Sequence, residues 1–140
     1  MDKVTNKDLS AYRLKKAREM LLSAGRDMTA QDYASANNRA YYAIFHAMRA
    51  VLAIDGEDYK KHSAVIARFS QNYLKTDIFP RHYGRLITNA SLIRNRSEYE
   101  DFYICSVTDT EELVSGAGAF VEEVARYLSE DSKKEEEQTV

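Results

Sequence analysis

Residues 37–52 read NNRAYYAIFHAMRAVL, the most apolar run in the chain, and their spacing leaves little choice of local structure. Tyr33, Ala36, Ala40, Ile44, Ala47, Met48 and Val51 recur at intervals of three and four, the period of one helical face. Tyr41, Tyr42, Phe45 and Leu52 widen that face well past a single stripe, which predicts a helix buried on several sides. Arg39, His46 and Arg49 interrupt it. Such groups need partners in apolar surroundings, because burying them unpaired is costly. The helix is therefore expected to be central to the fold and to border a site.

The flanking sequence supplies more helices. One proline and five glycines are too few for the many tight turns of a β-sandwich or barrel. Thr5 with Asp8 forms a capping-box signature opening a first helix to about Gly25, with Leu9, Tyr12, Leu14, Ala17, Met20, Leu21 and Ala24 on its apolar side. Thr29 or Asp32 is placed to cap the central helix, which ends near Ile54 at an Asp55-Gly56 turn. Val65, Ile66, Phe69 and Tyr73 mark a third helix within residues 60–74, and Pro80 suits the first turn of a fourth. Residues 94–103, RNRSEYEDFY, are expected to hold the end of that helix and a loop. Thr108 with Glu111 forms a second capping box, opening a fifth helix on Leu113, Val114, Ala117, Phe120, Val121, Val124 and Leu128. The predicted fold class is all-α, an up-and-down bundle of four to five helices over residues 1–128. Residues 129–140 turn acidic and polar and are expected to form a disordered tail.

Charge and cysteine usage narrow the function classes. The formal net charge is −2, of which residues 129–140 contribute −3, leaving the remaining body at +1. A dominant electrostatic binder of nucleic acid is thereby excluded, though not a local basic patch. The lone Cys105 has no internal disulfide partner, which fits a reducing, cytoplasmic setting. MDKVTNKDLS lacks the apolar core of a signal peptide, and no apolar run is long enough for a membrane span. No phosphate-binding glycine loop is present, and His46, His62 and His82 show no metal-ligand spacing. Neither a cofactor nor a metal is expected.

Four arginines remain: Arg39, Arg49, Arg94 and Arg96. Arginine on an otherwise apolar helix means a carboxylate partner, an interface or an anion site. Glu98, Glu100 and Asp101 are available as partners, whereas Tyr99, Phe102 and Tyr103 could stack on bases.

Read together, DYASANNRAYYAIFHAMRAVL, the KHSAVI segment, LIRNRSEYEDF and the C-terminal amphipathic helix closely resemble the HEPN family, the higher eukaryotes and prokaryotes nucleotide-binding domain. The likeness extends over residues 9–128 and is greatest to small stand-alone bacterial members. It implies a helical bundle, a homodimer, and a toxin–antitoxin setting in which a minimal nucleotidyltransferase is the partner. Active members are metal-independent ribonucleases in which a ribose 2′-hydroxyl attacks the adjacent phosphate. Their motif is an Arg, a polar residue and a following His that handles the proton while Arg stabilises developing charge.

Carried onto this sequence, Arg94 and Asn95 match the start of the motif, and the His should stand at Tyr99, Glu100 or Asp101. None is His. From Arg96 the positions are Asp101, Phe102 and Tyr103, again without His. A tyrosine, ionising near pH ~10, is a poor proton shuttle at neutral pH but can hydrogen-bond a phosphate. The catalytic candidates are therefore Arg94, Asn95 and Tyr99 in a degenerate motif, and the binding candidates are Arg39, Tyr42, His46, Arg96 and Asp101. The expected function is binding of RNA, a nucleotide or a nucleotidyltransferase, with absent or weak ribonuclease activity. Two alternatives stand beside it. One is an active ribonuclease toxin using Arg94 with a displaced base, His46 or His62. The other is an interaction module whose arginines only pair carboxylates.

Overall fold

The computed structural model describes residues 4–138, and among them are five α-helices and no strand. Helix α1 (Asn6–Thr29) begins at Thr5, whose hydroxyl accepts the Asp8 N–H at 3.0 Å while the Asp8 carboxylate accepts the Thr5 N–H at 3.2 Å. It runs past Gly25, because one glycine costs only about 1 kcal/mol inside a helix. Asp32 caps α2 (Tyr33–Ile54), its carboxylate accepting the Ser35 N–H at 3.2 Å and the Ser35 hydroxyl at 2.7 Å. Gly56, with φ of +77°, makes the turn that follows. Helix α3 (His62–Phe69) continues into a π-helical turn (Ser70–Leu74).

Helix α4 (Tyr83–Tyr99) starts later than Pro80, which lies in the preceding turn and accepts the Tyr83 N–H at 3.2 Å. It ends at Tyr99, within the 94–103 stretch expected to hold the helix end and a loop, so Arg94, Asn95 and Arg96 are helical. Helix α5 (Val107–Gln138) is capped by Ser106, whose hydroxyl accepts the Asp109 N–H at 3.2 Å. Thr108, the expected cap, already lies inside the first turn. The segment expected to be a disordered tail is helical through Gln138, although its residues are exposed from Lys133 onward. Glu and Lys are good helix formers, and extending an existing helix is far easier than nucleating one. Thr139 and Val140 lie outside the described residues, as do Met1, Asp2 and Lys3.

The stretch that dominates the sequence also dominates the fold: α2 packs against each of the other four helices. Thirteen of its residues are buried, and Ala36, Ala40, Ala43, Ala47, Ala50 and Ala53 let neighbouring backbones approach closely. A buried hydrogen bond from Asn37 Nδ2 to Thr110 Oγ1, 2.9 Å long, ties α2 to the start of α5. Beside α2, Phe69, Phe79 and Phe120 form an aromatic core bordered by Tyr73, Tyr83 and Tyr127. Helix α5 approaches α4 at Gly116, where a Cβ would stand 2.7 Å from Leu86 Cδ1. No helix among the described residues is long and apolar enough to cross a membrane.

Candidate functional site

Arg39, Tyr42, His46 and Arg49 are spaced three, four and three apart, so they share one stripe of α2. Tertiary contacts give the stripe two different ends. At its C-terminal end, Arg49 donates to Asp58 Oδ1 at 2.7 Å, and Arg13 from α1 donates to the same oxygen at 2.9 Å. Arg13 also reaches the Arg49 carbonyl at 3.4 Å, and neighbouring Ser10 donates to the Ala50 carbonyl at 2.7 Å. The hydrogen bonds from Arg49 and Arg13 hold the Asp58 carboxyl below its ordinary range. Arg49 is thus a structural cation.

The N-terminal half of the stripe differs. Arg39 is exposed and, among the described residues, has no carboxylate partner and reaches only Met20 Sδ at 4.0 Å. Ser35, Asn38 and Arg39 from α2, with Arg94, Ser97 and Glu98 from α4, line a polar cleft of about 350 Å³. Arg94 is mostly covered, with 19% of its side chain exposed. Its guanidinium carbon lies 4.9 Å from the Tyr41 ring centre and 5.5 Å from that of Tyr42. Glu98 approaches Arg94 Nε to 3.3 Å but is not aligned for a hydrogen bond, so the buried Nε has no hydrogen-bond partner. Burial opposes the Arg94 charge, but Tyr42, Glu98 and Tyr41 more than offset it, and the guanidinium is held more firmly protonated than usual. A guanidinium with spare donors beside a second, unpaired arginine suits an oxyanion such as a phosphate.

The tyrosine that carries Arg94 on its ring also meets His62, one of the two histidines considered as a displaced base. His62 opens α3, and its Nδ1 lies 2.6 Å from the Tyr41 hydroxyl. Its ring stacks on Phe45, with centres 4.1 Å apart and planes inclined by 23°. Burial, then the charges of Arg94 and Arg49, push the imidazole below its ordinary pKa, with Glu98 opposing. Burial likewise keeps Tyr41 protonated, against the pull of Arg94. The sequence signal was the KHS segment itself; its geometry depends on how α3 folds back onto α2, which no spacing reveals.

His46 lies beside Tyr42, with ring centres 6.1 Å apart, and its Nδ1 is buried without a partner. Burial, followed by the charges of Lys16, Arg49, Arg13 and His62, lowers its pKa to about 4. It is neutral at physiological pH and does not line the Arg94 cleft.

The other motif positions separate. Asn95 and Arg96 are exposed, and Arg96, two residues from Arg94, points roughly 200° away around α4. There it stands 3.6 Å from Glu100 and lines a different hollow of about 550 Å³ with Tyr103, Arg85 and Asp109. Tyr99 is 78% exposed, and Asp101 is exposed in the turn beyond α4; neither lines the Arg94 cleft. No cluster of three or more His, Cys, Asp or Glu able to hold a metal ion occurs among the described residues.

Comparison with known proteins agrees with the helical pattern. The family profile described as HEPN domain matches residues 10–133. A UPF0332 protein of Thermotoga maritima is 28% identical over 123 residues, spanning 88% of this chain and 92% of the relative. A protein of Methanocaldococcus jannaschii named "Putative toxin" is 32% identical over 98 residues, 70% of this chain and 72% of the relative. A second protein so named from the same organism is 24% identical over 115 residues, 82% and 78% of the two chains. With nearly every helix inside the matched span, the chain belongs to the HEPN domain family.

Proposed function

We propose that this protein binds RNA or a nucleotide through the cleft between α2 and α4, with Arg94 as the phosphate anchor and Arg39 as its second cation. The observation that carries this reading is the pair of arginines on one polar cleft, one without a carboxylate among the described residues and the other with a misaligned one. A pure interaction module, whose arginines only neutralise acids, fits Arg13 and Arg49 but leaves Arg39 unexplained. Family membership and the toxin names of two relatives support a toxin–antitoxin setting. In it the protein acts as a homodimer with a minimal nucleotidyltransferase as partner. The lack of histidine at positions 99, 100 and 101 makes ribonuclease turnover absent or weak.

Fluorescence anisotropy with a labelled single-stranded RNA tests the reading. Wild-type protein is expected to bind, and Arg94→Ala to weaken binding about tenfold, the order of one charge-assisted contact. Equal affinity of the two proteins for the RNA would remove Arg94 from the site.

A further inference from the structure

Exposed apolar side chains lie far apart along most of the chain, but at the α4–α5 connection four follow in close order: Tyr99, Phe102, Ile104 and Val107. Phe102 is 96% exposed and Ile104 87%, although burying either would be favourable. Exposure alternates along this segment: Phe102, Ile104 and Ser106 face solvent, whereas Tyr103 and Cys105 are half-buried. A period of two is that of an extended chain. The inner residues fasten it to α4. The Arg96 guanidinium carbon lies 6.0 Å from the Tyr103 ring centre, and Cys105 Sγ lies 3.8 Å from Ser97 Oγ.

The main chain of the segment is equally open. From Phe102 to Cys105, the one backbone hydrogen bond among the described residues runs from the Tyr103 N–H to the Glu100 carbonyl, at 3.4 Å. The N–H and C=O of Ile104 have no protein partner among those residues, as on the free edge of a sheet. Charge indicates what could cover such an edge. Residues 96–112 hold six carboxylates and one arginine, and that arginine, Arg96, already faces Glu100 at 3.6 Å. Asp101, Asp109, Glu111 and Glu112 are exposed and make no ion pair among the described residues. Such a rim repels a nucleic acid, and a second copy of the same segment would bring like charges together.

We propose that residues 102–106 form a docking edge for a different protein, which lays an extended, apolar and basic segment alongside them. Main-chain hydrogen bonds at Ile104 hold the added strand. Alternate apolar side chains of the partner cover Phe102 and Ile104, and its cationic side chains meet the flanking carboxylates. No residue of this segment lines the Arg39–Arg94 cleft, so docking here is separable from ligand binding there.

The test uses the full chain and three labelled peptides of about eight residues, a common strand length, read by fluorescence anisotropy. One alternates valine and lysine, the second is the same peptide N-methylated along its backbone, and the third alternates valine and glutamate. The lysine peptide is expected to bind, more weakly as salt rises. N-methylation removes main-chain donors but keeps the side chains and should weaken binding about tenfold; the glutamate peptide should not bind. Hydrogen exchange at the Ile104 amide should slow when the lysine peptide is present. The double variant Phe102→Ser, Ile104→Ser alters only exposed side chains, so it should melt like wild type yet bind the lysine peptide about tenfold less tightly. No binding of the lysine peptide, equal binding of all three peptides, or undiminished binding by the double variant overturns the proposal. A dimer seen in sedimentation that the double variant abolishes also overturns it, because a second copy would then be what covers the edge.

Discussion

At the C-terminal end of α2, Arg49 and Arg13 converge on one carboxylate oxygen at 2.7 and 2.9 Å. In its N-terminal half, Arg39 reaches only a thioether sulfur among the described residues, and Arg94 from α4 meets a glutamate that is close but misaligned. The same residue type on the same helical stripe therefore serves two purposes. Where a protein carboxylate takes the guanidinium's terminal donors, the arginine holds α1, α2 and the loop after α2 together, even though the buried Arg49 Nε has no partner of its own. Where donors are left over beside a polar cleft, the arginine has capacity for a ligand. Sequence position does not separate the two cases; the presence of Asp58 does.

The largest expected effect tests the structural end. Arg13 is buried, and Arg13→Ala loses its bonds to Asp58 and the Arg49 carbonyl together with the packing of its stem. Urea denaturation should show a loss of about 2–3 kcal/mol, given charge-assisted bonds of ~1.5–3 kcal/mol, while RNA affinity stays within about twofold. A large loss of affinity without a loss of stability would abolish the distinction between the two ends.

His46, between the ends, should show itself through pH. Its folded pKa of about 4 lies below the unfolded value of 6.5, so the unfolded chain binds the proton first as pH falls. Its stabilising contribution is full above about 6.5 and is lost as pH falls toward 4. A shift of this size corresponds to at most ~3 kcal/mol, and partial exposure of the ring reduces it. Thermal unfolding of wild type should weaken more steeply between pH 6.5 and 4 than that of His46→Gln; parallel curves would assign the loss to carboxylates instead.

Arg39→Ala is a smaller test, aimed at the ligand end. Affinity for single-stranded RNA should fall about threefold, and the slope of log affinity against log salt should lessen by ~0.7, the value for one phosphate contact on a single strand. Stability should not change, since no protein carboxylate loses a partner. The smallest effect belongs to Arg96→Ala, because that side chain lies on the other face of α4. Its affinity should match wild type; a loss as large as that of Arg94→Ala would move the ligand to the α4–α5 hollow.

Much of this was legible in the residues. The apolar spacing over residues 37–52 predicted a central helix, and α2 does touch all the others. The Thr5–Asp8 box was read correctly, and Asp32 was one of the two caps offered for α2, because capping is local, a side chain answering backbone donors one turn away. The start of α5 was misplaced for a related reason: Ser106 and Thr108 are equally good caps, and the choice depends on where the preceding loop leaves the bundle. The pairing of Arg94 with Glu98 and of Arg96 with Glu100 was likewise readable, both being one helical turn apart.

The sequence by itself determined which segments are helical, that the 37–52 stretch lies at their centre, and that histidine is missing from the positions following Arg94. These are properties of periodicity and composition, which act over one or two turns of chain. Only the tertiary structure decided that Asp58 absorbs Arg13 and Arg49, that Arg39 and Arg94 share a cleft, and that His62 comes to rest against Tyr41. Such contacts join side chains tens of residues apart, and packing of the helices, not spacing along any one of them, brings them within hydrogen-bonding distance.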